Sequence, residues 1–335
     1  MRLSYVSPFS RAIHRRNAVQ YAELAELKGY EGVWLPEAFG SDAFTLLGLL
    51  AGKTSRMTLA TGIVNVYSRS PALLAQTFAT LDEISDGRAV IGLGTSGPIV
   101  IENWHGQAFE RPLTRTREAV EIIRLALQGE RVDYDGECFQ LRGFRMLIRP
   151  VQERIPIYLA TLKPRAVRQT GEIADGWLPL GFVPGSLPEY LPWLEEGFKR
   201  AGNGKSLANF EIMANCHVFV DDDVQAALDA MKPETALYVG GMGARSKNFH
   251  KELMIRRGFG DAAERIQELY LAGRKEEAIA AVPDEWVDQK SLVGPPARII
   301  ERYRAWEDGG VTSLGVRTKQ DEAVEVMAKA ARLNA

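Results

Sequence analysis

Cysteine and histidine are scarce in this sequence. Its 335 residues include only two cysteines, Cys138 and Cys216, so a disulfide framework and a multi-cysteine metal site are both excluded. The four histidines are too scattered along the chain to form the H-x-x-x-H pair of a zinc-binding helix. We therefore expect a functional site without a metal ion.

Long apolar runs and an excess of either charge are missing as well. No run approaches the 18 apolar residues of a membrane-spanning helix, and residues 1–10 read as an opening strand rather than a signal peptide. The 41 Lys and Arg residues nearly balance 43 Asp and Glu residues, which argues against nucleic acid as the main partner because phosphate neutralisation needs clustered cations. We expect a cytoplasmic, enzyme-sized protein that binds a small molecule.

Strand-like and helix-like segments alternate along the chain. The strand-like segments are short apolar runs, which is typical of strands covered on both faces. Repeated βα units require a parallel sheet with right-handed crossovers. The predicted strands are residues 2–6, 32–35, 57–64, 89–92, 156–160, 176–180, 212–220 and 312–316.

Eight βα units without a Pro/Gly/Ser-rich linker predict an α/β fold, a (β/α)8 TIM barrel that forms one domain over residues 1–335. Residues 224–308 are almost wholly helical in pattern and exceed the length of one crossover. We predict that they form a helical insertion before the last strand and cover the C-terminal mouth of the barrel. An open doubly wound sheet is the alternative.

The segment Gly92–Gly97 matches the G-x-G-x-x-G pattern of dinucleotide-binding loops. Its context does not fit that use, because three strands precede it and no helix opens directly after it. A tight turn at a strand end explains the glycines without any ligand. Glycines at the catalytic face of a barrel explain them better, because backbone without side chains lets a flat cofactor approach closely.

Three other strand ends carry candidate contacts. Gly62 lies in the apolar run TGIVNVY, where either a β-bulge or a ligand contact explains a glycine. Lys163 and Arg165 flank a predicted helix start, which favours a phosphate site, although solvated basic residues are an equal alternative. Glu37 lies in WLPEAF at the end of the second strand, and a glutamate in such a position is more often a polar loop residue than a catalytic acid.

Taken together, WLPEAF, LATGIVNVYSRSPALLAQTFATLDEISDGRAVIGLGTSGP and PIYLATLKPRAVRQTGEIADGW resemble the bacterial luciferase-like flavin and deazaflavin oxidoreductases. Within that superfamily, TGIVNVYSRSP and LDEISDGRAVIGLG are similar to the branch typified by methylenetetrahydromethanopterin reductase. The resemblance implies a barrel, usually dimeric, with coenzyme F420 or FMN at the C-terminal ends of the strands. It also implies a non-prolyl cis peptide at Gly62-Ile63.

The resemblance further implies a set of cofactor-binding residues, with Glu37 also a weak catalytic candidate. They are Glu37 after strand two; Gly62, Ile63 and Asn65 at the strand-three bulge; Gly94, Thr95 and Ser96 in the strand-four loop; and Ala160, Thr161, Leu162 and Lys163 in the phosphate-binding loop.

One departure from the family pattern concerns sugar-phosphate oxidation. Relatives with that activity place a histidine after the strand-two acid and a glutamate in the strand-four loop. Ala38 and Gly97, or a neighbour of Gly97, occupy those positions here. The proton donor, if one is needed, is therefore left unidentified.

Three functions follow as hypotheses. The leading one is an F420-dependent oxidoreductase that moves a hydride between the deazaflavin and a small organic substrate. We expect this enzyme to be a homodimer, as the resemblance implies. The second is an FMN-dependent monooxygenase on the same scaffold, supplied with reduced flavin by a partner reductase. The third is a barrel that binds a flavin without turnover.

Overall fold

The structure, a computed structural model, describes residues 1–8, 15–242 and 248–333, with the backbone alone for residues 15–17. The strands are β1 (Arg2–Val6), β2 (Gly32–Leu35), β3 (Thr58–Thr61), β4 (Val64–Asn65), β5 (Ala89–Gly94), β6 (Val132–Asp135), β7 (Gln140–Phe144), β8 (Ile157–Thr161), β9 (Gly176–Pro179), β10 (Glu211–Val220), β11 (Ser291–Gly294) and β12 (Ser313–Arg317). The α-helices are α1 (Arg15–Leu27), α2 (Ala43–Ala51), α3 (Pro71–Ile84), α4 (Pro112–Leu127), α5 (Pro164–Ile173), α6 (Leu187–Ala201), α7 (Val224–Gly241), α8 (Phe249–Arg256), α9 (Gly260–Leu271), α10 (Lys275–Ala280), α11 (Asp284–Lys290), α12 (Pro296–Glu307) and α13 (Asp321–Ala330).

Eight parallel strands close into a barrel, as predicted. Their order around the barrel is β1, β2, β3, β5, β8, β9, β10 and β12, and β12 pairs with β1 to complete the ring. The helices between them surround the barrel, and the main apolar core lies between the helices and the outer faces of the strands. Such closure places the C-terminal ends of all eight strands at one mouth.

The inward faces of the strands fill the lumen with layers of side chains. A middle layer is apolar and comprises Val6, Trp34, Ala60, Val90, Leu178 and Met213. Below it, Ser4 and Ser313 face each other with their hydroxyl oxygens 3.3 Å apart. Because side chains alternate along a strand, the next inward positions above this layer lie at the mouth.

The insertion before the last strand is present and builds a second apolar core. Helices α7 to α11 contribute to it, with Trp286, Met254 and Leu269 among its buried members. Residues 224–308 were expected to be almost wholly helical, and besides the helices they contain one short strand. Ser291–Gly294 form β11, which pairs with the C-terminal extension of β10. The stretch 238–250 of the insertion lies partly outside the described residues, which omit 243–247.

The third predicted strand is interrupted. Residues 57–64 were expected to form one strand, whereas β3 ends at Thr61 and β4 begins at Val64. Between them, the peptide bond of Gly62-Ile63 is cis. Pairing with β5 resumes at Val64 and Asn65, which lie opposite Leu93 and Gly94.

Among the described residues, none of the helices combines the length and the apolar composition of a membrane span.

Candidate active site at the mouth of the barrel

The predicted site residues gather at one end of the barrel. Glu37 follows β2, Gly62 and Ile63 follow β3, Gly94 ends β5, and residues 160–163 lie at the end of β8. These strands are consecutive around the barrel, so the four segments form one continuous side of the mouth. The structure thus brings together the residues that the resemblance singled out.

Two glycines of β5 allow close packing against the interrupted strand. A Cβ added at Gly92 would lie 1.7 Å from the carbonyl oxygen of Thr61, so no side chain fits there. The Thr61 hydroxyl donates to the Gly92 carbonyl over 2.7 Å, and the Gly92 N–H donates to that hydroxyl over 3.0 Å. A Cβ at Gly94 would lie 3.0 Å from Cδ1 of Ile63. The glycines therefore seat Ile63 at the mouth.

Asn65 shapes the loop after β4. Its side-chain oxygen accepts the backbone N–H of Tyr67 at 3.0 Å and that of Ser68 at 2.8 Å. Its Nδ2 lies 3.3 Å from Nε2 of His105. Asn65 is buried, so it orients neighbouring groups more than it faces open space. His105 was not predicted from the sequence to be a site residue, because a π-helical turn at Val100–Trp104 brings it back to this loop.

Glu37 is held by an arginine from the next βα unit. Its carboxylate forms a two-pronged ion pair with Arg69, with N–O distances of 2.5 and 3.0 Å, and accepts the Ala43 N–H at 3.1 Å. Arg69 also pairs with Asp42 at 2.6 Å. Hydrogen bonding to Glu37 raises the pKa of Arg69. These contacts fix the Glu37 carboxylate between Arg69 and the start of α2.

The same residues line a cleft of about 310 Å³. Burial opposes the ionised form of Asp42, but hydrogen bonds from Thr45 and the charge of Arg69 outweigh burial and lower its pKa. Ala38 and His105 both line the cleft. His105, from the segment after β5, therefore lies near Ala38, the position at which the sugar-phosphate-oxidising relatives have a histidine. The lining residues are Glu37, Ala38, Gly40, Ser41, Asp42, Ser68, Arg69, Trp104 and His105.

The loop after β8 leads into helix α5. Thr161 is fixed by its hydroxyl, 2.9 Å from that of Thr170, and by its carbonyl, which accepts from Trp177 at 3.0 Å. No described side chain caps the start of α5. Pro164 has no N–H and the N–H groups of Ala166 and Val167 donate to the Lys163 carbonyl, so in this turn only the Arg165 N–H is left for an anion. The Lys163 ammonium lies there but pairs with Glu252 of the insertion at 3.0 Å.

The loop after β5 contains Thr95 and Ser96. Ser96 adopts a left-handed backbone with φ of 56°, and its carbonyl accepts the Thr95 hydroxyl at 3.2 Å. An added Cβ at Gly97 would meet no atom within 4 Å. The loop therefore turns sharply away from β5 and leaves open space beside it.

The opposite side of the mouth carries polar residues that the sequence analysis did not single out. Asn215 and His217 on β10 and Arg317 on β12 share the inward face with Met213. A Cβ at Gly315 would lie 2.5 Å from the Asn215 side-chain oxygen and 2.6 Å from the Met213 methyl, which shows that these side chains point into the barrel. Side chains alternate between the two faces of a strand, so these inward-facing residues could have been predicted if the length of β10 had been known.

Comparison with known proteins identifies the family. The family model described as luciferase-like monooxygenase matches residues 1–313. The chain belongs to the luciferase-like family. It is 37% identical over 325 residues to a Mycobacterium tuberculosis protein provisionally named a coenzyme F420-dependent oxidoreductase, covering 93% of this chain and 94% of that protein.

Two further luciferase-like relatives are similar over most of their length. The 5,10-methylenetetrahydromethanopterin reductase of Archaeoglobus fulgidus is 32% identical over 300 residues, covering 88% of this chain and 87% of that protein. The structure of the coenzyme F420-dependent tetrahydromethanopterin reductase from Methanopyrus kandleri superposes with a TM-score of 0.86 at 26% identity, covering 99% of both chains. This luciferase-like protein is accordingly an oxidoreductase.

One side of the mouth of this luciferase-like barrel is built from small residues. Gly62, Gly94 and Ala160 lie there, and the Ile63 side chain packs against Gly94. Across the barrel, Asn215 is the exposed position of a strand whose other residues are buried or half-buried. Within the described residues, no group of three or more His, Cys, Asp or Glu side chains could hold a metal ion.

Proposed function

We propose that this protein is a coenzyme F420-dependent oxidoreductase that transfers a hydride between the deazaflavin and a small organic substrate. The observation that carries the proposal is the likeness to relatives whose names state F420 dependence, one of them 37% identical over nearly the whole chain. The 26% identity and matching barrel of the Methanopyrus kandleri reductase support it.

The proposal assigns the ring system to the glycine-lined side of the mouth. Ile63, seated by Gly94, supports one face of the ring, and the short side chain of Ala160 lies beside Gly94. When bound, F420 supplies a ring carbon that gives or accepts a hydride. The residues of this chain then have to orient the ring and exclude water, because hydride transfer depends chiefly on alignment of donor and acceptor.

The cofactor phosphate is assigned to the start of α5. The N–H groups of residues 161–163 and of Arg165, together with the positive end of the helix dipole, favour a negative charge there, and the Lys163 ammonium adds a positive charge. Thr161 is held by Thr170 and Trp177, so the loop is organised before the ligand arrives. Preorganisation of this kind reduces the entropic cost of binding.

Turnover assays test the function. The full-length protein is mixed with F420 or with reduced FMN and a panel of alcohols, aldehydes, enones and imines, anaerobically and in air. We expect absorbance changes of F420 with at least one substrate class, independent of oxygen. Oxygen-dependent product formation with reduced FMN, and none with F420, would instead support the monooxygenase. Binding of either cofactor with no turnover across the panel would favour the non-catalytic barrel.

A homodimer and a small-molecule substrate complete the proposal. Both were expected from the resemblance. Light scattering of the purified full-length chain measures its mass in solution, and a monomeric mass would contradict the dimer.

A further inference from the structure

A cluster of charged and polar side chains lies above β10 and β12, where the insertion meets the barrel. The Arg317 guanidinium lies 3.1 Å from Nε2 of His217 and 3.3 Å from the carboxylate of Glu234 on α7. Lys290, at the end of α11, donates to the Thr235 hydroxyl at 3.0 Å. The proposed cofactor and its phosphate use none of these groups.

The cluster lies across the mouth of the barrel from the proposed ring. In an eight-stranded barrel each strand lies opposite the fourth strand along, so β10 is opposite β3 and β12 is opposite β5. His217 and Arg317 are register partners on these strands and share the inward face. A molecule held by them therefore lies across the mouth from Gly62, Ile63 and Gly94.

The cluster has more positive than negative charge. Arg317 is cationic, and Glu234 is the carboxylate that contacts it. Burial lowers the pKa of Lys290 to about 8, so Lys290 stays mostly protonated at pH 7. His217 is neutral, because burial and the neighbouring Arg317 lower its pKa to about 3. Since Arg317 donates to Nε2, the ring proton of His217 lies on Nδ1. Arg317 and Lys290 also act together on Glu234, whose pKa is lowered by them although burial raises it.

One buried hydrogen-bond donor in the cluster lacks an acceptor. Among the described residues, no acceptor reaches Nε of Arg317, although that atom is buried. An unpaired buried donor is costly, and the Nε edge of a guanidinium is one that pairs with carboxylate or phosphate. Asn215, two residues before His217 on the same face, exposes its amide to the mouth.

Resting on the proposed function, we propose that Arg317, with Asn215 and His217 beside it, binds an anionic group of the substrate, a carboxylate or a phosphate. The anion completes the hydrogen bonding of Arg317 and balances the excess positive charge. It also fixes the substrate on the side of the mouth opposite the ring, so that its reacting carbon lies between them. Arg317 is then a determinant of substrate class.

Anion titration of the full-length protein tests this site without knowledge of the substrate. Inorganic phosphate and succinate serve as probes, measured by calorimetry at low salt with and without saturating F420. We expect at least one probe to bind, and Arg317→Gln to weaken it about tenfold or more because a charge-assisted pair is lost. Arg317→Lys keeps the positive charge but loses the planar guanidinium that can form two parallel hydrogen bonds. Its probe affinity should therefore lie between those of the wild type and Arg317→Gln.

Arg117→Gln is the matched control. Arg117 pairs with Glu172 at 2.8 Å on the outside of the barrel, so its loss leaves probe binding unchanged. Circular dichroism shows whether Arg317→Gln is folded, and Arg317→Lys carries the test if it is not. Equal probe affinity in the wild type and in the folded Arg317 variant, or no binding by the wild type, would overturn the site.

The cofactor arm separates two sources of the anion. If F420 leaves probe affinity unchanged and Arg317→Gln binds F420 normally, the site belongs to the substrate, as proposed. If F420 displaces the probe and Arg317→Gln weakens F420, the anion is the cofactor's own and the assignment to substrate is wrong. A wild type that binds probes through Arg317 but does not bind F420 would contradict the proposed cofactor and leave the anion site standing.

Discussion

Gly92 is the residue on which the close approach of β3 and β5 depends. In Gly92→Ala the new methyl group would lie 1.7 Å from the Thr61 carbonyl oxygen, a backbone atom that cannot rotate away. The strands must separate, and we expect the free energy of unfolding to fall by about 3 kcal/mol or more. Urea unfolding followed by circular dichroism measures the change.

Gly48 provides the matched control for that substitution. It lies inside α2, and an added Cβ would meet no atom within 4 Å. Gly48→Ala should stabilise the protein by about 0.5–1 kcal/mol because alanine loses less backbone entropy in a helix. Equal stability of Gly92→Ala and the wild type would show that the strands are not packed as described.

Single residues of the site differ in how far the sequence could predict them. Gly62 and Gly94 were placed by resemblance, since the motif around them is local in the chain. The ion pair of Glu37 was not predicted, because Arg69 lies 32 residues away and only the fold brings it near. Arg317 was missed for a similar reason, since its partners His217 and Glu234 come from other elements.

At the scale of elements, the loop after β8 and helix α8 of the insertion meet through one ion pair. Lys163 contacts Glu252 and also lies 5.3 Å above the Phe249 ring. We expect Lys163→Glu to weaken F420 binding about tenfold at low salt and less at high salt, where the field is screened. Fluorescence titration at two salt concentrations measures the effect.

Glu252→Gln and Lys199→Glu are the controls for this prediction. Removing the Glu252 carboxylate frees the Lys163 ammonium, so cofactor affinity should rise by about threefold. Lys199 is exposed in the last turn of α6, and reversing its charge should change little. Unchanged affinity of Lys163→Glu at low salt would move the phosphate elsewhere, with the loop Gly94–Gly97 as the next candidate.

Most helices and strands could be predicted from the hydrophobic pattern and from the positions of glycine and proline. The exceptions depend on pairing between strands that are distant in the sequence. Strand β11 was missed because Ser291–Gly294 is only four residues long and follows α11 directly. Its strand identity comes from pairing with residues 217–220 of β10, which the sequence alone does not reveal. The break between β3 and β4 likewise depends on the contacts of Thr61 and Ile63 with β5.

At the scale of the whole molecule, two half-buried histidines make stability depend on pH. Burial, the largest cause, lowers the pKa of His217 to about 3 and that of His250 to about 4, against 6.5 for the free side chain. As the pH falls below about 6.5, the unfolded chain takes up protons at these positions and the folded chain does not. The free energy of unfolding should therefore decrease from about pH 6.5 toward pH 4.

His250→Gln tests the assignment of this effect. The charged groups that act on His250 are Lys290, Glu234 and Arg317, and its ring lies 4.5 Å from that of Tyr238. The variant lacks the titrating group, so it should lose about 2 kcal/mol less than the wild type between about pH 7.5 and pH 4.5. Parallel pH curves for the two proteins would contradict the assignment.

The central claim, that the mouth of this barrel holds a deazaflavin, is tested most directly by equilibrium titration of the purified cofactor-free protein with F420 and FMN side by side. Both rings are flat, so the comparison depends on the fit of ring and tail to one site rather than on general stacking. We predict that F420 binds at least about tenfold more tightly than FMN and that Ala160→Phe, which fills the mouth, weakens it strongly. Tight binding of FMN with no binding of F420 would contradict the account.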